Sequence, residues 1–586
     1  MTIAPATAPL LHLQQPDFPR HHRGSQARVL LSSVFGPYAR DDEYGSRSIN
    51  PMELYHNQVT RVQRSFSLRM FHRSWGLMLI QANIAAPCTL LDFPTRDRFI
   101  EELRTTYDII GLGAIIPNLA KVRHMCELIR EHQPQATIVV GGHVANYPDL
   151  DSIIDADHIV RGEGVEWMRR YLGEATDRPI VHPRILSGFG SRTMGLTLSE
   201  KPGDVAAVLI PSVGCPIGCN FCATSAMFGG KGRCLHFYDT GDELFEIMCG
   251  LERDMAARSF FVMDENFLLH RKRALRLLEL MQQHGKAWSL YLFASANALR
   301  VYEIEQIVGL GVSWVWMGLE GKNAAYTKLR DTDTRTLVRT LQSHGIRVLG
   351  SSIIGMENHT LYNIDEAIDF AVEHDTEFHQ FMLYTPIPGT PLFAEHQKNG
   401  TMLPPEEYVE ADIHGQLKFN YRHAHLPPGV EGGLILRAFH RDFEVNGPSV
   451  VRIARTVLQG WRRYKHSADA RIRSRFQWEA RDLAVTYAGA LWAARQYFKR
   501  TNARLAQRIS GILNDLKREF GWRTRVSAPL IGRYLLTMLR REEQRLSRGW
   551  TIEPRTFYEH NETALAHLAQ MALRIGSSRA PGAATQ

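Results

Sequence analysis

Short apolar runs alternate with stretches of helical period from about residue 26 onward. Residues 27–35 (ARVLLSSVF), 76–84 (GLMLIQANI), 108–116 (DIIGLGAII), 136–144 (ATIVVGGHV) and 158–164 (HIVRGEG) read as buried parallel strands. Between the third and fourth, Leu119, Val122, Met125, Cys126 and Ile129 recur at helical spacing. Strand, helix, strand predicts an α/β fold with a doubly wound sheet over residues 26–180. Ligands of such sheets sit beyond the C-terminal strand ends. Those ends carry Pro117 and Asn118, then Gly141, Gly142 and His143, then Gly162, Glu163 and Gly164. Small residues there would let a large planar ligand approach the backbone, although turn chemistry accounts equally for any one of these glycines.

A second run follows at residues 204–213, 258–267, 288–299, 312–321, 345–356 and 378–392, with helical segments such as 271–285 and 361–375 in the gaps. Six strand–helix units are too few for a closed eight-fold barrel, so residues 190–400 predict an open partial barrel with its site at the strand C-termini. Beyond 400 the strand pattern stops. Prolines at 404, 405, 427, 428 and 448 punctuate a connection, and long helical patterns then predict a helical C-terminal domain over 401–575. Residues 1–25 and 576–586 lack periodicity and read as flexible or disordered tails.

Composition changes this picture in three ways. At 586 residues the chain is too long for one core. Seven cysteines, unevenly placed, do not make a disulfide framework and point to a reducing, cytoplasmic setting. The N-terminus lacks a secretory pattern, and the most apolar helical stretch, 484–494, is well short of the roughly 20 residues of a bilayer span. Charge is uneven. Residues 441–548 hold 24 Lys+Arg against 9 Asp+Glu, whereas the whole chain is +8. Such a module suits nucleic acid, an anionic membrane surface or an acidic substrate, or it is simply a solvated arginine-rich helical face. No helix-turn-helix or aromatic-basic signature accompanies it, which argues against nucleic acid and for peripheral membrane contact at most.

The candidate chemistry lies in residues 213–230, VGCPIGCNFCATSAMFGG. Cys215, Cys219 and Cys222 have the spacing C-x3-C-x2-C, in the loop after the first strand of the partial barrel. Three thiolates can hold three irons of a [4Fe–4S] cubane and leave the fourth open to a small chelating molecule. The rival is zinc, with Cys234 or His236 as the fourth ligand. Cys126 reads as core packing, and Cys88 and Cys249 have no partner spacing.

The cysteine motif, with Phe221 before its last member and a six-unit strand–helix series behind it, resembles the radical S-adenosylmethionine (SAM) superfamily over residues 200–400. SVGCPIGCNFC also resembles members with an N-terminal cobalamin-binding domain, which the patterns YDIIGLGAIIPN, IVVGGHV and IVRGEG resemble in turn. The resemblance implies a cluster on Cys215, Cys219 and Cys222. It implies SAM contacts from Asp264, Glu265 and Asn266 in place of the more usual Gly-Gly-Glu, from Ser295, from Glu320 toward the ribose, and from Ile354 and Gly355 toward adenine, with Pro388 and Gly389 near the same mouth. It implies cobalamin contacts from Pro117, Asn118, Gly141, Gly142, His143, Glu163 and Gly164. Residues 26–180 lack the D-x-H-x-x-G motif whose histidine ligates cobalt, so cobalamin without a histidine lower ligand, or a domain that binds none, is expected.

The activity so implied is C-methylation of an unactivated carbon of a lipid or secondary metabolite, fed by an external flavodoxin- or ferredoxin-like electron donor. Ring formation or carbon-skeleton rearrangement with the same cofactors is the alternative, since the family includes a cyclase of chlorophyll biosynthesis as well as enzymes acting on hopanoids. A cluster- or cobalamin-based sensor binding nucleic acid through the basic helices is a third reading of another class.

Overall fold

The computed structural model describes residues 18–34, 44, 58–70, 73–188, 192–199, 201, 203–321, 333–549 and 557–560. Of the expected tails 1–25 and 576–586, residues 1–17 and 576–586 lie outside the described residues, whereas residues 18–25 are described, with His21 buried and a single helical turn at Gly24–Gln26. The fold is mixed α/β, built on parallel sheets, and the chain divides into two compact units. One comprises residues 8–44, 73–183 and 554–586; the other comprises 1–7, 45–72 and 184–553.

The smaller unit holds strands β1 (Val29–Ser32), β2 (Cys88–Asp92), β3 (Ile109–Gly113), β4 (Thr137–Gly141) and β5 (His158–Ile159), paired in parallel in the order β2-β1-β3-β4-β5. This order reverses direction between β1 and β3, the point at which doubly wound sheets open a crevice at their carboxyl edge. Strands β1 and β2 are buried throughout, as sheets covered on both faces require. A further strand, Phe557–His560, pairs antiparallel with β2. Nothing in the surrounding pattern marked it.

One expected strand is a helix. Residues 76–83 of the expected strand 76–84 lie in the helix Trp75–Asn83, which Ile84 ends, and the second strand is CTLLD, just downstream. The reason is burial on several sides: Leu77, Met78, Leu79, Gln81 and Asn83 are all covered, so the helix shows no polar stripe and its sequence matches a buried strand equally well. The expected strand at 158–164 is likewise only two residues long, because Glu163 caps the helix Gly164–Tyr171.

The larger unit begins with a short hairpin, β6 (Arg192–Thr193) and β7 (Leu196–Thr197). Its main sheet comprises β8 (Ala207–Leu209), β11 (Ser259–Val262), β12 (Ser289–Phe293), β13 (Val312–Glu320), β14 (Arg347–Ile354) and β15 (Phe378–Leu383), while β9 (Ser212–Val213) and β10 (Leu235–His236) form a separate antiparallel ribbon. The six sheet strands are all parallel and stand in strict chain order, with β8 and β15 at the two edges. All six expected strands of this run are present. Helices Gly241–Met255, Arg271–Gln283, Thr334–Ser343 and Ile364–Val372 fall between successive strands. The first is fixed by a capping box, in which Thr240 accepts from the Glu243 amide while the Glu243 carboxylate accepts from that of Thr240.

The same unit continues into helices Glu431–Asn446, Ser449–Tyr464, Ala470–Glu479, Ala488–Phe498 and Ala503–Ser547. The helices Ser449–Tyr464, Ala488–Phe498 and Ala503–Ser547 share a core that includes Val457, Leu491, Ile509 and Leu535, while Glu431–Asn446 packs Leu434, Ile435 and Phe439 into another with Ile354 and Phe381. Buried arginines join these helices to the strands. Arg347 of β14 donates to Glu479, and Arg452 pairs with Asp442 while donating to the Thr376 carbonyl at 2.7 Å. Among the described residues, no helix is long and apolar enough to cross a membrane.

Candidate functional site

The cysteine loop runs from β9 to the helix Ala223–Met227, and β10 returns antiparallel beside β9. Two glycines shape it. Gly214 has φ +85°, and a Cβ there would meet the Phe228 side chain at 2.8 Å; Gly218 has φ +66°, and a Cβ would lie 2.4 Å from the Lys231 backbone. No L side chain fits either place. Cys222 caps the short helix, its sulfur accepting from the Ser225 amide at 3.4 Å, and the Ser225 hydroxyl donates to the Cys215 carbonyl at 2.9 Å. The loop is tied to the exit of β15 through Leu392 N–H to the Asn220 carbonyl (3.0 Å) and Asn220 Nδ2 to the Tyr384 hydroxyl (3.1 Å). Phe221 meets the Tyr384 ring edge-on at 6.0 Å.

None of the three loop cysteines forms a disulfide, and all three are half-buried. Burial pushes the Cys215 thiol up to about 11, and Cys222, Cys219 and Glu265 add to that against a favourable backbone amide at Ile217. Thiolates crowded this way ask for a cation to hold them. Among the described residues, the three ligand atoms lying within 4.8 Å of one another belong to Cys234, His236 and His270, a group that takes in none of the loop cysteines. A single zinc bonded at about 2.3 Å to each sulfur would need the loop thiols gathered as tightly. The donor set therefore fits a spread, multi-iron group better than one small ion. Cys234 and His236 group with His270 and not with the loop thiols. The Cys234 thiol donates to the Gly214 carbonyl, and Arg273 Nη1 lies 3.5 Å from His236 Nδ1, a neighbour hostile to a further cation.

At the exit of β11 the three polar residues take separate tasks. Asp264 is fully buried; it accepts from the Ser212 hydroxyl, from Arg273 Nη2 at 2.5 Å and from the Asn266 amide at 3.0 Å. Asn266 and Ser295 hold each other through Asn266 Nδ2 to Ser295 Oγ and Ser295 N–H to Asn266 Oδ1, both 3.0 Å. Ser295 also caps the helix Ala296–Leu299. Glu265 is different. Its Oε2 is buried and has no hydrogen-bond partner among the described residues. Burial raises its carboxyl to about 7, Asp264 adding to this while the amides of Glu265 and Gly214 favour the charged form. A buried, unsatisfied carboxylate oxygen beside the cysteine loop is a place for an ammonium group.

Glu320 closes β13 at φ +54°, where the β13–β14 register shifts. A non-glycine residue in left-handed backbone is uncommon and marks a position fixed by its surroundings. Ile354 ends β14 and Gly355 follows it, but the space a Cβ would take on Gly355 is filled by the Phe419 ring at 2.5 Å. Gly355 is thus needed for that packing. Pro388 and Gly389 lie after β15, where Thr390 caps the helix Pro391–Lys398.

In the smaller unit, several expected ligand contacts carry structural duties. A Cβ on Gly142 (φ +84°) would lie 2.6 Å from the Ala114 carbonyl, so the ends of β3 and β4 touch backbone to backbone. A Cβ on Gly164 would meet Ile80 at 2.8 Å, where one helix packs on another. Both Glu163 oxygens accept helix amides, from Val165 at 2.6 Å and Glu166 at 2.7 Å. Pro117 and Asn118 form the short turn leading into the helix Leu119–His132; Gly141 ends β4, and burial lowers the His143 imidazole below its usual range. The pattern did not point to Arg273, Ser212 or Tyr384; the arginine's place two residues into a helix next to an acidic strand end is the signal that could have found the first.

Comparison with known proteins matches residues 72–172 to the family described as B12 binding domain. That match falls almost wholly within the smaller unit. The chain is also similar to an uncharacterized methyltransferase of Pyrococcus horikoshii, 24% identical over 332 residues, 50% of this chain and 71% of that protein. It is similar to the bacteriochlorophyllide d C-12(1)-methyltransferase of Chlorobaculum tepidum, 29% identical over 196 residues, 32% of this chain and 42% of that protein. A third relative is the anaerobic magnesium-protoporphyrin IX monomethyl ester cyclase of Rubrivivax gelatinosus, 23% identical over 347 residues, 51% of this chain and 60% of that protein.

Proposed function

We propose that the chain is a cobalamin-dependent radical SAM enzyme, a C-methyltransferase acting on an unactivated carbon of a lipid or secondary metabolite. The observation that carries this reading is the pairing of three half-buried loop cysteines outside any disulfide with Glu265 beside them, one carboxylate oxygen of which is buried and unsatisfied, in a chain whose other unit matches the B12 binding domain family. Relatives named as methyltransferases support the reaction class.

In this reading Cys215, Cys219 and Cys222 hold a [4Fe–4S] cluster and Glu265 binds the amino group of SAM. When bound, cluster and SAM supply a hydrogen-abstracting radical, and cobalamin supplies the methyl group. The chain's own part is positional. Gly214 and Gly218 fold the loop so that its sulfurs converge, and Tyr384 with Asn220 pins it. The Arg273 guanidinium occupies Asp264, which leaves Glu265 as the carboxylate open to the ammonium. Glu320, fixed in left-handed backbone, accepts from ribose hydroxyls. Ile354 offers an apolar wall near the adenine. Pro117, Asn118, Gly141 and His143 line the cobalamin side at the carboxyl edge of β3 and β4. Electrons come from a flavodoxin- or ferredoxin-like donor.

The cyclase relative favours one second reading, ring formation with the same cofactors. Anaerobic turnover separates the two: methylation yields S-adenosylhomocysteine together with 5′-deoxyadenosine, and ring formation yields only the latter. Absence of both products from reconstituted protein with reductant and SAM would defeat the proposal. Glu265→Gln is expected to weaken SAM binding about 10- to 100-fold, the worth of a charge-assisted hydrogen bond, with iron content unchanged.

A further inference from the structure

The helix Ala503–Ser547 is broken at Gly521, whose φ +60° and ψ −135° are not helical, and restarts at Trp522. From there its inward face is Thr524, Ala528, Gly532, Leu535, Leu539 and Glu542. Contact on that side is close: a Cβ on Gly532 would lie 2.5 Å from the Trp492 ring, and one on Gly489 would lie 2.6 Å from Ile531. The rotation of the helix about its axis is thereby fixed. At 100° per residue, the opposite face carries Trp522, Val526, Leu530 and Tyr534 at successive four-residue steps. All four are open to solvent, at 78%, 52%, 58% and 57% exposure.

Scattered exposed apolar residues are ordinary, but a ridge of four on one helix face, headed by tryptophan and ended by tyrosine, is not. Its setting is strongly cationic. Between Glu519 and Glu542 the chain has no acidic residue, while Arg523, Arg525, Arg533, Arg540 and Arg541 are all exposed. Among the described residues none of these five guanidiniums is engaged in an ion pair. A ridge of aromatic and aliphatic side chains flanked by unpaired arginines is complementary to a surface that is apolar beneath and anionic above.

We infer that the outward face of residues 522–541 is a docking surface for an anionic lipid bilayer, on which this helix segment lies in the plane of the headgroups with Trp522, Val526, Leu530 and Tyr534 inserted and the arginines on lipid phosphates. The inference concerns where the enzyme works, and it stands whether or not the chemistry at the cysteine loop is as proposed. Both aromatics carry a polar tip at the end of an apolar ring, the form suited to the headgroup boundary.

The test is flotation of the full chain with phosphatidylglycerol-containing vesicles and with pure phosphatidylcholine vesicles. Partition into the anionic vesicles at low salt is expected, with little into the neutral ones. Each of Arg523→Gln and Arg533→Gln should weaken it about fivefold. The combined Trp522→Ser/Leu530→Ser/Tyr534→Ser variant should weaken it more than about tenfold, while far-UV circular dichroism and melting temperature stay unchanged because these side chains point outward. No partition at low salt, equal partition into neutral vesicles, or full partition by the triple variant would overturn the inference. A change from dimer to monomer on the triple substitution would assign the face to a second copy of the chain instead. A salt-sensitive shift of nucleic acid without vesicle binding would assign it to nucleic acid.

Discussion

The two parallel sheets put ligand chemistry in different parts of the chain. In the smaller unit the order β2-β1-β3-β4-β5 changes direction once, and the crevice lies where backbone ends converge. Its glycines are occupied with strand-to-strand and helix-to-helix contact, as at Gly142 and Gly164. In the larger unit the order is strictly sequential, and strand exits present side chains: cysteines after β9, Glu265 after β11, Glu320 at the end of β13. The first arrangement would recognise by shape and main chain, the second by charge and sulfur.

Substitutions can break this contrast. The largest effect belongs to Cys215→Ala/Cys219→Ala/Cys222→Ala, which should bring iron and SAM cleavage to background while cobalamin absorbance persists; loss of both together would show that the two units do not bind independently. Next is Arg273→Met. It strands the buried Asp264 carboxylate, and about 3–5 kcal/mol of stability should be lost in denaturant titration, with Asp264→Asn in the same background restoring much of it. Gly142→Ala should cost roughly 2–4 kcal/mol, since φ +84° and a contact of 2.6 Å to backbone both oppose a Cβ. It should depress cobalamin binding and leave iron content intact.

The effect of pH is nil at neutrality and builds only in acid. Burial holds the His359 and His374 imidazoles down at about 4, below the usual 6.5 of a free imidazole. Above 6.5 both are neutral whether folded or unfolded. As pH falls from 6.5 toward 4 the unfolded chain takes the protons first, so stability should drop by about 1.4 kcal/mol per pH unit for each histidine. Melting temperature against pH checks this, and His374→Gln should flatten the slope.

How much of this was legible in the sequence follows from the same contrast. The strands of the larger unit announce themselves because apolar runs such as FFVM (260–263) and LYLFA (290–294) are bounded by polar residues, and the cysteine spacing carries its own chemistry. The helix Trp75–Asn83 hid because burial on several sides erases the 3.6-residue stripe. The division of labour among Asp264, Glu265 and Asn266 was equally hidden. It depends on Arg273 and Ser295, which come close only in the fold. Glycines at strand ends read alike whether they admit a ligand or a neighbouring backbone; the position a Cβ would take separates the two, and it is written in three dimensions alone.

The strand Phe557–His560 on the edge of β2 has a consequence for the order of biosynthesis. The sheet begun at Val29 waits for its outermost strand until residue 557 has been made, with most of the larger unit intervening. At translation rates of about 5–20 residues per second the β2 edge stays open for roughly half a minute to a minute and a half. During that interval its unpaired amides and carbonyls are a template for any extended chain nearby. A nascent or truncated product ending before residue 557 is thus at greater risk of self-association than the finished protein, although every residue of the B12-binding match is already in place.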